Sequence, residues 1–328
     1  MSDWRSDDRE SIKSIKSVKR VYKVRIEYLR RREIDDGKWD EVIARSPAET
    51  LYPYSWYLDA AAERWSALVM GDYRFIMPLV WKKKYGIRYL YQPLFCQQLG
   101  VFSREVTDPL LVNRFIDRMQ AKFRFGVVHF NARNLVGDTP RYQVEDRSNY
   151  VLPLDGHYEE MNAGYSVNAR RNLKRAREAG GEMVRDAGLD ELLRLKREND
   201  LTGIPETRYR QMMNQFEAVV SNSKGRVYGI REGARLVAGA FMAFSRTRII
   251  YLQSVSSGEG KEQRAMFRIV DQVIRDHAGS GMRLDFEGSN IPSIARFFGG
   301  FGAKPEIYQG LSFNRLPVPL VLGKKYGR

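Results

Sequence analysis

Two stretches of this chain run through the same order of elements, and that order constrains the fold more than any other feature. In the first, Trp39, Val42 and Ile43 recur at helical spacing, a second helix covers about 54–62, and strands at 66–70, 73–81 and 88–91 are separated by turns at Gly71-Asp72 and Tyr85-Gly86. A helix over 109–122, apolar at Leu110, Leu111, Phe115, Ile116 and Met119, leads to a strand at 126–131, and a longer strand at 142–154 closes the half. The second stretch repeats this with helices at 191–200 and 206–220, strands at 226–231, 235–244 and 248–255, a helix at 266–278, a short strand from Arg283, and a last strand at 304–313. An antiparallel meander that crosses through a helix to a parallel neighbour makes a mixed sheet covered by helices. The expected class is α/β (α+β), with two tandem mixed-sheet domains and helices on both faces; 328 residues suffice for both. The expected divisions are a basic tail over 1–18, a first domain over 19–155 that opens on a strand at 19–29, a basic junction helix within 156–181, and a second domain over 182–328. Residue identity between the halves is low, so the repeat is one of architecture. By position His129-Phe130-Asn131 stands where Asp285-Phe286-Glu287 stands.

The stretch from Arg283 to Ala303, RLDFEGSNIPSIARFFGGFGA, carries the most chemistry. Leu284 and Phe286 face one way on its strand and Asp285 and Glu287 the other, because side chains alternate across a pleat. Gly288 is read as the residue that lets the backbone turn, Ser289 and Asn290 are N-cap types, and Pro292 falls in a first helical turn. Strand, sharp turn and helix N-terminus form an arrangement at which α/β sheets bind ligands.

Lys and Arg number 55 against 40 Asp and Glu, a formal charge of +15, which favours anionic partners such as phosphorylated substrates, RNA or an acidic membrane surface. Cys96 is the only cysteine, so disulfides and thiolate metal clusters are excluded and a core role is expected for it. No run is apolar enough for a transmembrane helix or a signal peptide, which places the expected location in the cytoplasm. Ile12, Ile15 and Val18 among lysines hint at peripheral membrane contact, but Lys19 falls on the same helical face, and a solvated tail is the preferred reading. His129, His157 and His277 lie too far apart to imply a metal, and none is expected; His277, late in a helix, reads as a charged partner of the helix end.

Between the halves runs SVNARRNLKRAREAGG, from Ser166 to Gly181. Ala169, Leu173 and Ala176 line one helical face, Ser166 is a cap, and Arg170, Arg171, Lys174 and Arg175 give a strongly cationic surface. Such a cluster binds diphosphate or an RNA backbone, or else is a solvated face.

At these residues the chain resembles the Fem-type peptidoglycan bridge aminoacyltransferases and their wider relatives, two fused domains of the GNAT acyltransferase fold. The basic helix resembles that family's basic signature, Asp285-Phe286-Glu287-Gly288 its Asp-Phe-x-Gly element, and Phe297 to Gly302 its Phe-Lys-x-x-Phe-Gly element, with Phe298 in place of the Lys. Tyr91-Gln92-Pro93 resembles its first-half loop faintly. The resemblance implies an acyltransferase of the GNAT superfamily that moves an acyl or aminoacyl group to an amine, with acyl-CoA (acetyl-CoA) or aminoacyl-tRNA as donor. It further implies an anionic small molecule or cell-wall precursor as acceptor. The alternative is a non-catalytic module that holds RNA or an anionic cell-wall precursor.

In such a fold Val255 to Ala265, VSSGEGKEQRA, stands where a donor pyrophosphate is held, with Val255, Gly258, Gly260, Arg264 and Ala265 as the donor loop. Asp285 or Glu287 is the candidate base, against a structural role for Asp285 as a paired carboxylate. Tyr308 is a candidate acid for a leaving thiolate, or a packing residue. Arg170, Arg171, Lys174, Arg175, Tyr91 and Gln92 are candidate substrate-binding residues.

Overall fold

The structure is a computed structural model that describes residues 24–137, 139–200, 203–288 and 291–317. The tail over 1–18, the start of the expected first strand, and the caps Ser289 and Asn290 lie outside the described residues.

The first half contains β1 (Ile26–Arg30), α1 (Asp36–Ala44), α2 (Ser55–Ala61), β2 (Trp65–Met70), β3 (Phe75–Lys84), β4 (Ile87–Leu90), β5 (Phe102–Ser103), α3 (Pro109–Lys122), β6 (Phe125–His129) and β7 (Gln143–Pro153). The second contains α4 (Tyr158–Ala163), α5 (Val167–Glu178), β8 (Glu182–Val184), α6 (Leu189–Glu198), α7 (Glu206–Ser221), β9 (Gly225–Glu232), β10 (Arg235–Phe244), β11 (Arg248–Ser256), α8 (Gly258–Glu262), α9 (Ala265–His277), β12 (Arg283–Asp285), α10 (Pro292–Gly299) and β13 (Lys304–Asn314). The repeated order holds, while α4, β5, β8 and α8 are short elements that periodicity does not reveal.

All main strands join one sheet in the order β1-β2-β3-β4-β6-β13-β7-β12-β11-β10-β9-β8. Read from its two ends, this path is the same twice, with β1, β2, β3, β4 and β6 matching β8, β9, β10, β11 and β12. The closing strands are exchanged: β13 pairs with β6 of the first half, β7 pairs with β12 of the second, and β7 and β13 pair with each other from Lys304↔Val151 to Ser312↔Gln143. Leu90↔Gly126 and the register from Arg248↔Arg283 to Ile250↔Asp285 are parallel, one such step in each half. The exchange leaves no inner sheet edge exposed.

Three apolar clusters cover the sheet. One packs α3, through Phe115, Ile116 and Met119, on the first half. A second packs α5, α9 and α10 on one face of the second half. The third joins the halves on the opposite face, with Tyr52 and Tyr57 meeting Phe216, Ile250 and Leu252. Glu49, only 2% exposed, pins this joint from the first half. Its carboxylate accepts from Ser245 Oγ at 2.9 Å, Arg246 N at 3.1 Å, Thr247 N at 3.1 Å and Thr247 Oγ1 at 2.8 Å, so it caps the β10–β11 turn of the second half.

Candidate active site

The site grows from a break between two parallel strands. β12 pairs with β11 only as far as Ile250↔Asp285, whereas β11 continues to Ser256. The register of β10 on β11 steps from Phe241↔Gln253 to Met242↔Tyr251, a bulge that bends β11 at this level. Beyond Asp285 the chain is drawn onto β7: Phe286 N donates to Tyr150 O and Gly288 N to Asn149 Oδ1, both at 2.9 Å. A Cβ on Gly288 would lie 1.9 Å from Ser148 O, so only glycine permits this approach. The expected turn at Gly288 is thereby corrected. The left-handed residue is Glu287, at φ 57°, a strained placement for a side chain of its size.

On one side of the break lies a cavity of about 360 Å³. Its walls are Tyr251, Ser254 and Ser256 of β11, Gly260 and Lys261 of α8, Arg264 with the first turn of α9, and Ile294, Phe297 and Phe298 of α10. Within the donor loop Gly258 opens a short helix with Ser257 as its cap, its Oγ accepting from Gly260 N at 3.1 Å. A Cβ on Gly260 would come 2.3 Å from Val237 O, so that glycine serves close packing on β10. Arg264 sits at φ 57° and opens α9, whose first-turn N–H groups have no intrahelical acceptor. Gly260 and Arg264 line the cavity, Ala265 is buried behind them, and Val255 packs on the opposite side, against the cluster that joins the halves.

On that opposite side stand the two carboxylates, while Leu284 and Phe286 pack in the second-half core as their alternation requires. Their environments separate them. Asp285, 2% exposed, accepts from Arg248 Nη1 at 2.7 Å and from Glu287 N at 2.9 Å. Glu306 also accepts from Arg248 Nη1, at 3.0 Å. Burial works against the Arg248 charge, but Asp285 and Glu306 outweigh it and hold the guanidinium ionised. This pairing is the structural role weighed for Asp285 beside that of base. Glu287 is partly buried, and its Oε1 accepts from Tyr52 Oη of the first half at 2.5 Å. Desolvation pushes its carboxyl up to about 8, the Tyr52 hydrogen bond pulls it down, and the Asp285 charge raises it again. Burial first, and then the Glu287 charge, pushes the Cys96 thiol up.

The remaining candidates are dispersed. Tyr308 is buried on β13, its ring 5.9 Å from that of His129; burial raises its hydroxyl, Arg147 opposes this, and the Glu287 and Asp285 charges add to the rise. Ala169 and Leu173 of α5 pack into the cluster on the face away from Glu287, together with Leu152 of β7. On α5 Arg170 donates to Ala163 O at 2.9 Å, Arg171 to Asn168 Oδ1 at 3.1 Å, Lys174 lies 3.8 Å from Glu178, and Arg175 is exposed. Tyr91 and Gln92 brace a loop: Gln92 Oε1 accepts from His129 N at 3.0 Å, its Nε2 donates to Cys96 O, and Tyr91 packs in the joint. His277 bonds Tyr228 Oη at 3.3 Å, and burial pushes its imidazole down, so it is a neutral partner and not a charged helix end.

The equivalent position in the first half is closed. Phe130 is fully buried, and Asn131 Nδ2 donates to Leu99 O and Val101 O at 3.1 Å, so the segment 99–101 fills the break. The residues missed by sequence reasoning are Tyr52 and Tyr251. No local pattern marks Tyr52, which meets Glu287 only through the docking of the halves.

Residues 165–291 match the acetyltransferase (GNAT) domain family. No curated protein matches the chain. Among solved structures the chain is similar to FemX, with a TM-score of 0.60, 13% identity, and coverage of 90% of this chain and 99% of that one. A tandem GNAT protein from the clavulanic acid biosynthesis pathway superposes with a TM-score of 0.52, 13% identity, and coverage of 89% and 99%. The C-terminal domain of a putative lysylphosphatidylglycerol synthetase from Agrobacterium fabrum gives 0.50, 9% identity, and coverage of 88% and 94%. The duplicated sheet is thus that of a chain with the tandem GNAT fold, shared with FemX.

Proposed function

We propose that this chain is an acyltransferase that moves an acyl group from an acyl-CoA thioester to an amine, with the chemistry in its second half. The observation that carries this reading is Glu287, its carboxyl raised to about 8, at the end of a strand break whose other side opens into the cavity under Lys261, Arg264 and the α9 N-terminus. Those cations and N–H groups suit a donor pyrophosphate, and Ile294, Phe297 and Met266 suit its apolar arm.

The amine approaches from the Tyr52 side and loses its proton to Glu287 as its nitrogen bonds to the acyl carbon. Backbone N–H groups on the free edge of β11 beyond Ile250 meet the oxyanion. The carbon–sulfur bond then breaks, and the thiolate takes a proton from Tyr251, the phenol in the cavity wall. Tyr52 tunes Glu287, and Asp285 with Arg248 holds the strand end in place.

Thermal unfolding of the purified chain with a panel of acyl-CoAs tests the donor. Protection that is lost in Arg264→Gln is expected; no protection by any acyl-CoA overturns the reading. Release of free CoA thiol with added amines tests transfer, and acyl-CoA binding without any release would make the chain a binding module.

A further inference from the structure

We infer that the first half carries a second ligand site, for a phosphomonoester, on the sheet face formed by Tyr28, Arg30, Arg64, Ser66 and Trp81. The strand register puts these residues on one face: Tyr28 lies opposite Leu68, Arg30 opposite Ser66, Ser66 opposite Leu79, and Trp81 N bonds Arg64 O at 3.0 Å. All five line a cavity of about 420 Å³. It is built from β1, β2 and β3 at the far end of the sheet path from the donor cavity.

Two of the residues that line it carry a buried polar atom with no hydrogen-bond partner among the described residues, the Ser66 hydroxyl, on a residue 1% exposed, and the Trp81 indole N–H. Unpaired buried donors are rare because each costs about 1–3 kcal/mol, so their occurrence together at one cavity marks a place for an acceptor-rich group. The rim supplies the charge. Arg64 lies over the Trp81 ring at 5.5 Å with only the exposed Glu63 as its ion-pair partner, and Arg30 and Arg32 have no ion-pair partner among the described residues. The acid Asp59 at this cavity is already taken by Arg31 and Trp65 Nε1, both at 2.7 Å. Guanidinium groups with free forks match the oxygens of a dianionic phosphate, and the cavity leaves room for the moiety that bears it.

Titration calorimetry of the full chain with glycerol phosphate, inorganic phosphate, acetate and a short oligoribonucleotide tests the site. Saturable binding of glycerol phosphate is expected, weakened about tenfold or more in Trp81→Phe, which keeps the ring and removes only the N–H, and in the surface variant Arg64→Gln. Lys261→Gln, in the donor cavity, should leave it unchanged, and acyl-CoA protection should survive in Arg64→Gln, so the two sites fail separately. The inference is overturned by absence of saturable binding, by equal affinity in both variants, by loss in Lys261→Gln, by acetate binding as tightly as phosphate, or by binding of the oligoribonucleotide alone.

Discussion

Tyr52 and Glu287 stand 235 positions apart and meet at 2.5 Å, so one hydrogen bond joins the first half to the candidate base of the second. The bond favours the ionised carboxylate, whereas burial and the neighbouring Asp285 charge favour the neutral one. Acyl transfer at saturating donor should therefore rise with pH and level off above about 8. Tyr52→Phe removes the only one of these influences that lowers the value, and should move the rising limb to higher pH. Glu287→Gln should lower kcat by on the order of a hundred- to ten-thousand-fold and erase the limb, as pH–rate profiles would show.

The same shift bears on stability. A carboxyl raised in the folded state contributes stability that is present below its unfolded value near 4.5 and is lost as pH rises to about 8. Glu287→Gln should flatten that part of the curve, and denaturant midpoints measured between pH 5 and pH 8 would reveal it.

Gly288→Ala places a Cβ 1.9 Å from Ser148 O. The nearest atoms it meets are all β7 backbone, with no flexible side chain to displace, so the variant should lose about 1–3 kcal/mol and draw Glu287 away from Tyr52. The check is a fall in Tm together with loss of the pH dependence of the rate.

Glu49 accepts four hydrogen bonds from the β10–β11 turn while almost fully buried. Glu49→Ala leaves those donors without their acceptor and should cost about 3 kcal/mol or more, measured by urea unfolding.

Arg264 holds a left-handed conformation, which costs a non-glycine residue about 1–2 kcal/mol. Arg264→Gly should leave Tm unchanged or slightly raised while weakening acyl-CoA binding, a separation that calorimetry and thermal unfolding together would detect.

Much of the fold was legible because helix and strand periodicities are local. The α3 and β10 ranges, Pro109–Lys122 and Arg235–Phe244, follow directly from their apolar spacing and turn residues. The alternation of Leu284, Asp285, Phe286 and Glu287 likewise placed both acids on one face. It did not separate them, because Arg248 is brought to Asp285 by the parallel pairing of β11 and β12, a contact between residues 37 positions apart.

From residue pattern alone the chain determined its element order, its duplication and the acids of its final break, since each depends on neighbours a few residues away. Tertiary structure alone decided that β7 and β13 change places, that residues 99–101 close the first break while the second stays open, and that Tyr52 faces Glu287. Those outcomes rest on which distant surfaces bury one another, and alternation or helical spacing is the same whichever partner a strand finds.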